Sequence, residues 1–417
     1  MFRFSYLTQL TAFTLFAFSV RTYSQPLSKI QVFELALAHN PELQAARSLV
    51  EEAIARSSYA GRLSNPELSI EYAADWVFNN EGEATFGVGI SQSFPLTKRL
   101  SVLKNISAQE IELAKAELEN RERLLMLDVA LACNELSYIE AELALRHSLV
   151  EIDEKFAEFV DDRIAAAEAS SLDANQIRIE LLALKQEISR LEVNRLRLLG
   201  ELSGLLGSDQ LVEVELLEQS VVLSSGLDLP EYSRDDLDTH PEYQLRRRLF
   251  EIADSRKSLV LAERWEDITV GLMLEDERSV DEPLGIGNDR FLGVSVSIPL
   301  PIRKGNKALY SEAFAASRRQ EQALENIEDE LLKNAEVLRR EVLSLYEQTR
   351  YFNENVSALL ESNIAEMSEA YGSGLVSLGE LFRSQSQALN LRSRQLEMVR
   401  DYERALIQWR SATAKTL

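Results

Sequence analysis

The chain is poor in the residues that bind metals or staple folds. Its 417 residues include one cysteine and three histidines. A single cysteine excludes an internal disulfide framework. Cys133 sits within a helical pattern, where it reads as a small buried hydrophobe. No cysteine follows the N-terminal apolar stretch, so a lipid anchor on cysteine has no attachment point. His39, His147 and His240 lie far apart in sequence, and two of them adjoin proline helix breaks, which suits capping or packing. HExxH, CxxC, P-loop, GxSxG and calcium-loop patterns are missing. No metal site, cofactor or enzymatic activity is therefore expected. No run of 18 or more apolar residues occurs, which excludes an α-helical membrane span but leaves a β-barrel open. Basic residues are also outnumbered, 45 Lys and Arg against 68 Asp and Glu, for a formal charge of -23. That balance argues against nucleic acid as a partner.

What is present begins with an export-type leader over residues 1–24. Arg3 supplies the basic start, Leu10 to Phe18 the short apolar stretch, and Thr22-Tyr23-Ser24 small residues at the cleavage positions. A buried N-terminal element is the alternative.

Two alternating segments follow, Leu68-Ser-Ile70-Glu-Tyr72-Ala-Ala74 and Phe86-Gly-Val88-Gly-Ile90-Ser-Gln-Ser-Phe94, closed by Pro95-Leu96. Each has a greasy face and a small or polar face at a period of two. About 204 residues later the order returns as Ile268-Thr-Val270-Gly-Leu272-Met-Leu274 and Leu292-Gly-Val294-Ser-Val296-Ser-Ile298, then Pro299-Leu300. The helix breaks repeat too, Asn40-Pro41-Glu42 against His240-Pro241-Glu242. A fixed-offset repeat divides the chain into residues 25–208 and 231–417, with a connection at 209–230. In that connection, Leu211 to Leu216 alternates briefly and suits a strand packed outside the helices; a flexible linker is the rival reading.

The strands, expected near residues 67–76, 85–94, 267–275 and 291–299, have the length a tilted strand needs to cross hydrocarbon. Four such strands cannot close a barrel, and open edges are not tolerated in lipid. Three copies would supply twelve. Two β-hairpins packed on the helices of a soluble domain are the alternative.

Each strand pair feeds a helical pattern of about 60 residues, roughly 90 Å at 1.5 Å per residue. The first runs from Ser101 and the second from Lys304 to Glu369, each followed by a return helix, from Leu172 and from Leu378. Heptad spacing runs through Ile177, Leu181, Leu184, Ile188, Leu191, Leu198, Leu202 and Leu205. It recurs through Leu145, Leu149, Ile152, Phe156 and Phe159, and through Leu338, Val342, Leu345, Thr349, Phe352, Val356 and Leu359. Such periodicity implies left-handed supercoiling between neighbours. Alanine and serine on the opposite faces let a helix be flanked on both sides, as a closed ring requires. The helices Pro41–Ala60 and Pro241–Glu263 would stack on the return helices to complete the length.

The two turns between outgoing and return helices hold Ala167, Ser170 and Leu172, and Gly372, Gly374, Leu375 and Ser377. Ser170 and Ser377 are placed to cap the return helices. The acidic residues Asp153, Asp161, Asp162, Glu366 and Glu369 are expected near this end, where crowding around an axis would favour cations. Ordinary solvated faces of an acidic protein are the alternative for each of them.

Several stretches carry a family resemblance: Ala38-His39-Asn40-Pro41-Glu42-Leu43, Asn65-Pro66-Glu67-Leu68, Ser91-Gln92-Ser93-Phe94-Pro95-Leu96 and Pro299-Leu300-Pro301-Ile302-Arg303. With the doubled strand–Pro–helix order, the chain resembles the outer-membrane efflux channel family (TolC-like), and within it the heavy-metal cation branch (CzcC-like). The resemblance implies a mainly α fold with a small β part. It implies a homotrimer whose membrane β-barrel crosses outer-membrane lipid and continues as a periplasmic α-barrel of coiled helical hairpins. It implies as partners a periplasmic adaptor (membrane fusion) protein, docked at Ala167 to Leu172 and Gly374 to Leu378, and an inner-membrane RND-type transporter. The subunit would be a passive duct for heavy-metal cations. A drug-exporting channel of the same family and a periplasmic coiled-coil structural or adaptor protein are the alternatives. Ala167 departs from the family, which usually has glycine there, and Leu96-Thr97-Lys98-Arg99 lacks the glycine that often precedes the basic pair.

Overall fold

The computed structural model describes residues 27–77, 82–166, 170–215, 229–281, 285–300 and 307–415. The expected leader, Ala167 and the Pro301-Ile302-Arg303 stretch lie outside them, as do residues 216–228 of the connection. In chain order the elements are β1 (Leu27–Ser28), α1 (Lys29–His39), α2 (Pro41–Tyr59), β2 (Glu67–Ala74), β3 (Ala84–Phe94), α3 (Arg99–Ala165), α4 (Ser171–Leu205) and β4 (Val214–Glu215). A 3-10 turn (Arg234–Thr239) then leads to α5 (Pro241–Ala262), β5 (Ile268–Asp281), β6 (Gly285–Ser297), α6 (Lys307–Asn355), α7 (Ser357–Gly372) and α8 (Leu378–Ala412).

The 67 residues of α3 make a rod about 100 Å long. No single partner matches that length, so shorter helices line it in pairs. On one flank α2 and α4 follow one another; on the other, α5 and α8 do so, and α6 flanks both of these. The result is a sheet of helices, open at the α2/α4 edge and at the α6 edge.

The joints between stacked helices are built from the proline breaks. Asn40 accepts from the Leu43 amide (3.0 Å) as the cap of α2, and its Nδ2 donates to the Leu205 carbonyl (2.9 Å) at the end of α4. Gly207 sits beside this joint at φ 64°, and a Cβ there would lie 2.5 Å from the His39 carbonyl oxygen, so only glycine fits. In the second half His240 replaces asparagine. Its Nδ1 accepts from the Glu242 amide (3.2 Å), and the ring is fully buried. Arg123 of α3 closes that joint, donating to the Ser411 carbonyl (3.1 Å) and hydroxyl (3.0 Å) at the end of α8 and to Glu242 (3.2 Å). Burial first, and the Arg123 charge second, lower the His240 pKa to about 4, so this cap is neutral at pH 7.

Cys133 is buried with Val32, Leu43, Val129 and Leu202 between α1, α2, α3 and α4. Burial pushes its thiol up to about 11, which suits the small-hydrophobe reading. His39 is exposed, and His147 bonds the Leu143 carbonyl (2.9 Å) of its own helix. Within the connection β4 pairs in parallel with β1, Leu27 with Val214, which realises the expected strand at Val214–Glu215.

The heptad reading of the return helix holds: Ile177, Leu184, Ile188, Leu198 and Leu202 are buried. On α3 the buried stripe instead takes in Leu143, Val150, Asp153 and Val160, leaving Ile152 and Phe159 exposed. On α6 it passes through Val342, Tyr346 and Thr349, then through Leu360 of α7, while Leu359 is exposed. The expected single outgoing helix of the second half is in fact two, α6 and α7, parted at Val356. Polar side chains compete with the helix ladder there. Asn355 donates to the Tyr351 carbonyl (2.8 Å), and the buried Gln395 of α8 donates to Asn353 (2.7 Å) and Ser357 (3.0 Å), one on each side of the break.

Candidate functional site

Two surfaces at opposite ends of the long helices hold the candidate residues. The first is an antiparallel sheet in the order β2-β3-β5-β6, so β3 and β5 join the halves and β2 and β6 are unpaired edges. Both hairpins fall where alternation predicts, but β5 reaches Asp281 and β6 begins at Gly285, longer than expected, because alternation hidden among charged residues still pairs. The register aligns like with like in rows across the strands. Leu68, Ile90, Leu272 and Val294 form one row, and Ile70, Val88, Leu274 and Leu292 the next. Phe94, Ile268, Val270 and Val296 extend the same face toward the helices. Most of these side chains are exposed in the single chain, Leu68 at 69% and Leu292 at 77%. A continuous apolar face of this extent marks a contact with lipid or another chain.

The opposite face carries Ser69, Gly87, Gly89, Ser91, Ser93, Thr269, Gly271 and Ser295, with Glu71, Glu275, Glu277 and Asp289 toward the hairpin ends. It is the crowded side. A Cβ on Gly89 would lie 2.6 Å from Ser69 Oγ, and one on Gly271 2.5 Å from Ser295 Oγ. The Ser93 and Thr269 hydroxyls hydrogen-bond at 2.8 Å.

Aromatic residues bound the apolar face, a signal that alternation alone passed over. Tyr72 and Phe86 pair in the row beyond Ile70 and Val88, with Trp76 just outside, and Phe94 and Trp265 stand at the helix end. From Phe86 to Phe94 is about 27 Å along the strand, or about 21 Å along the normal at the usual barrel tilt. Arg99 pairs with Asp267 (2.6 Å) and Thr97 donates to the Ala262 carbonyl (2.8 Å), fastening the strand exits to α3 and α5.

The second surface is the far end, where α3 meets α4 and α7 meets α8. Both predicted caps form. Ser170 Oγ accepts from the Leu172 amide (3.2 Å) while the Ser170 amide donates to Asp173 (3.3 Å). Ser377 Oγ accepts from the Glu380 amide (3.3 Å) while its own amide donates to Glu380 (2.7 Å). Gly374 adopts φ 72°, which the turn requires, and Gly372 ends α7. Leu172 (74%) and Leu375 (80%) project from the two turns. Tyr371 fastens the two hairpins together, with ring centroids 5.7 Å from Phe156 and 6.2 Å from Phe159.

The five acidic residues do not share one environment. Asp161 is exposed and pairs with Arg178 (3.4 Å), Asp162 is exposed, Glu366 accepts from Ser362 (2.7 Å), and Glu369 is exposed. Asp153 is 3% exposed, about 12 Å short of Asp161 along α3. It is packed among Leu149, Glu180, Leu184, Phe382 and Gln385. Burial, and then the Glu180 charge, raise its pKa to about 6. Among the described residues no group of three or more His, Cys, Asp or Glu could hold a metal ion, and no helix is long and apolar enough to cross a membrane.

Residues 32–208 match the family model described as outer membrane efflux protein. That stretch of the chain is similar to this family. Proteins of that family are passive conduits and not enzymes. No curated protein is a significant match. Solved structures share the fold over nearly the whole chain. The open-state MtrE outer membrane channel of Neisseria gonorrhoeae superposes with a TM-score of 0.76 at 13% identity, covering 93% of this chain and 89% of that one. The outer membrane protein VceC of Vibrio cholerae gives 0.73 at 14%, covering 93% and 96%. CusC, solved in a study of transmembrane channel formation, gives 0.71 at 18%, covering 93% and 92%. The architecture is therefore that of these channels, mostly helical with a small antiparallel sheet.

Proposed function

We propose that the chain is the outer-membrane channel subunit of a tripartite efflux pump, conducting exported substrate passively from periplasm to exterior. The observation that carries this reading is an exposed apolar face, aromatic at both ends, on a sheet with two unpaired edges. Unpaired edges are not tolerated in hydrocarbon, and the helical layer is open at both sides in the same way. Three copies close both at once, into a twelve-stranded barrel in outer-membrane lipid and a helical barrel in the periplasm. The two halves of the chain are structural repeats within that ring. A periplasmic adaptor docks at the exposed turns around Ser170, Leu172, Gly372, Gly374, Leu375 and Ser377, and an RND-type inner-membrane transporter supplies the energy.

The cargo we propose is heavy-metal cations. The Asn65-Pro66-Glu67-Leu68 and Pro299-Leu300-Pro301 stretches support this branch, as do the acidic Glu71, Glu275, Glu277 and Asp289 on the inner sheet face. At the far mouth Asp161, Asp162, Glu366 and Glu369 add to the cation preference. Export of organic compounds by the same kind of channel is the second reading. A deletion strain should become sensitive to zinc, cobalt, cadmium or copper; sensitivity to organic drugs alone would replace the metal reading with the second. Purified protein should run as a detergent-stable trimer and conduct in a planar bilayer. A monomer without conductance would sink the channel itself.

A further inference from the structure

The sheet separates its charges by face. Glu67, Glu71, Glu275, Glu277 and Asp289 alternate onto the small-residue side. The only basic residues in β2, β3, β5 and β6, Arg278 and Arg290, stand on the apolar side with one carboxylate, Asp276. For a chain of net charge -23 this local inversion is the reverse of what composition favours.

The rows locate it. Beyond the last apolar row comes Tyr72, Phe86, Asp276 and Arg290, and beyond that Ala74, Ala84, Arg278 and Asn288. One row is two residues, about 7 Å along a strand and about 5 Å along the normal at the usual tilt. The headgroup layer outside the hydrocarbon is about 5–8 Å deep on each side. Arg290 therefore enters that layer beside the aromatic row, and Arg278 lies about 10 Å out, within reach of it on a flexible stem.

Their local partners leave a surplus. Asp276 accepts from Arg290 Nε at 3.1 Å, and the Arg290 side chain is otherwise open at 80% exposure. Arg278 is exposed and has no ion pair among the described residues. Glu83 from the neighbouring hairpin is engaged by the Val280 amide (3.5 Å). Diagonal positions on adjacent strands are about 7–8 Å apart, near enough for two guanidinium groups to hold one anion between them. Guanidinium forks match phosphate oxygens in pairs.

We propose that Arg278 and Arg290 bind the phosphate of a lipid headgroup in the outer leaflet, fixing the height of the barrel in the membrane. This rests on the membrane reading above. The occupant is a lipid because the pair continues the lipid-facing surface and faces away from the acidic interior.

The test uses full-length protein in neutral-detergent micelles, with bisphosphorylated lipid A, the same lipid stripped of both phosphates, and inorganic phosphate as probes. Parent protein should hold the phosphorylated lipid roughly tenfold or more tighter than the stripped one, and Arg278→Gln with Arg290→Gln should abolish that preference. Equal retention of both lipids by the parent, or an unchanged preference in the double variant, would overturn the proposal. So would full displacement by an equal concentration of inorganic phosphate, which would mark a free-anion site. Flotation with vesicles of phosphate-free galactolipid keeps the two readings apart. Parent and variant should both float; a parent that fails to float would sink the membrane reading and this proposal together.

Discussion

In the first half of the molecule the outgoing helix α3 runs unbroken for 67 residues, whereas its counterpart in the second half stops at Asn355 and restarts at Ser357. The joints differ in kind as well. The first uses Asn40 and Gly207, short-range and backbone-centred; the second uses a buried His240 and the long arm of Arg123. Apolar spacing is similar in both halves, so the path of a helix follows from its stripe. Its continuity depends on polar side chains that the stripe ignores. A buried glutamine bridges Asn353 and Ser357 across the break in one helix, while the other runs whole.

Removing the arginine of the second joint should have the largest effect. Arg123→Met leaves Glu242 without its donor and takes one of two donors from the Ser411 carbonyl, which keeps the Ala414 amide (3.1 Å), in a mostly buried site, and should cost about 2–4 kcal/mol. Thermal unfolding in detergent would show it, and a change under about 0.5 kcal/mol would mean that Arg123 does not hold the second joint.

Asp153 offers the next contrast, since it lies in the buried stripe of α3. Its folded pKa, about 6, is above the ordinary carboxylate value. Stability is therefore greatest with the proton on, below about pH 4, and is lost as pH rises through 6. Asp153→Asn should stabilise by about 1–3 kcal/mol at pH 8 and have little effect at pH 4. Equal effects at both pH values would mean the carboxylate is solvated.

Cap loss at the first joint is smaller. Asn40→Ala removes both the α2 cap and the bond to Leu205, and should cost about 1–2 kcal/mol. Asn40→Ser, which keeps only the cap, should recover part of this; full recovery would show that the link between α2 and α4 contributes nothing.

Least affected at neutral pH should be His240→Asn, which installs the first half's cap in the second and should change stability by under about 0.5 kcal/mol. The difference appears in acid. His240 has its folded pKa lowered to about 4, so the parent's stability is intact above about pH 6.5 and is lost as pH falls toward 4. The asparagine variant should lose less over that window. Parallel pH profiles would remove the histidine from the account.

Much of this was legible in the residues. Period-two segments place all four strands, and the proline breaks place the caps at Asn40 and His240. Ser170 and Ser377 announce the return helices, and the return-helix heptads mark their buried face. The aromatic rows at the ends of the apolar face were equally readable, at Tyr72, Phe86, Phe94 and Trp265, but only once strand register aligns them. A carboxylate in a heptad gap gives no sign of burial, so the sequence places Asp153 at the mouth; packing by Glu180, Leu184 and Phe382 from α4 and α8 buries it instead.

The order of elements, the length of the rods and the two-faced strands follow from local periodicity and capping, which act between residues a few positions apart. Which strands neighbour one another, which helices stack, where α6 breaks and how Arg278 comes to stand beside Arg290 are decided only in three dimensions. Those features depend on side chains that meet across tens or hundreds of residues, and no local pattern carries that distance.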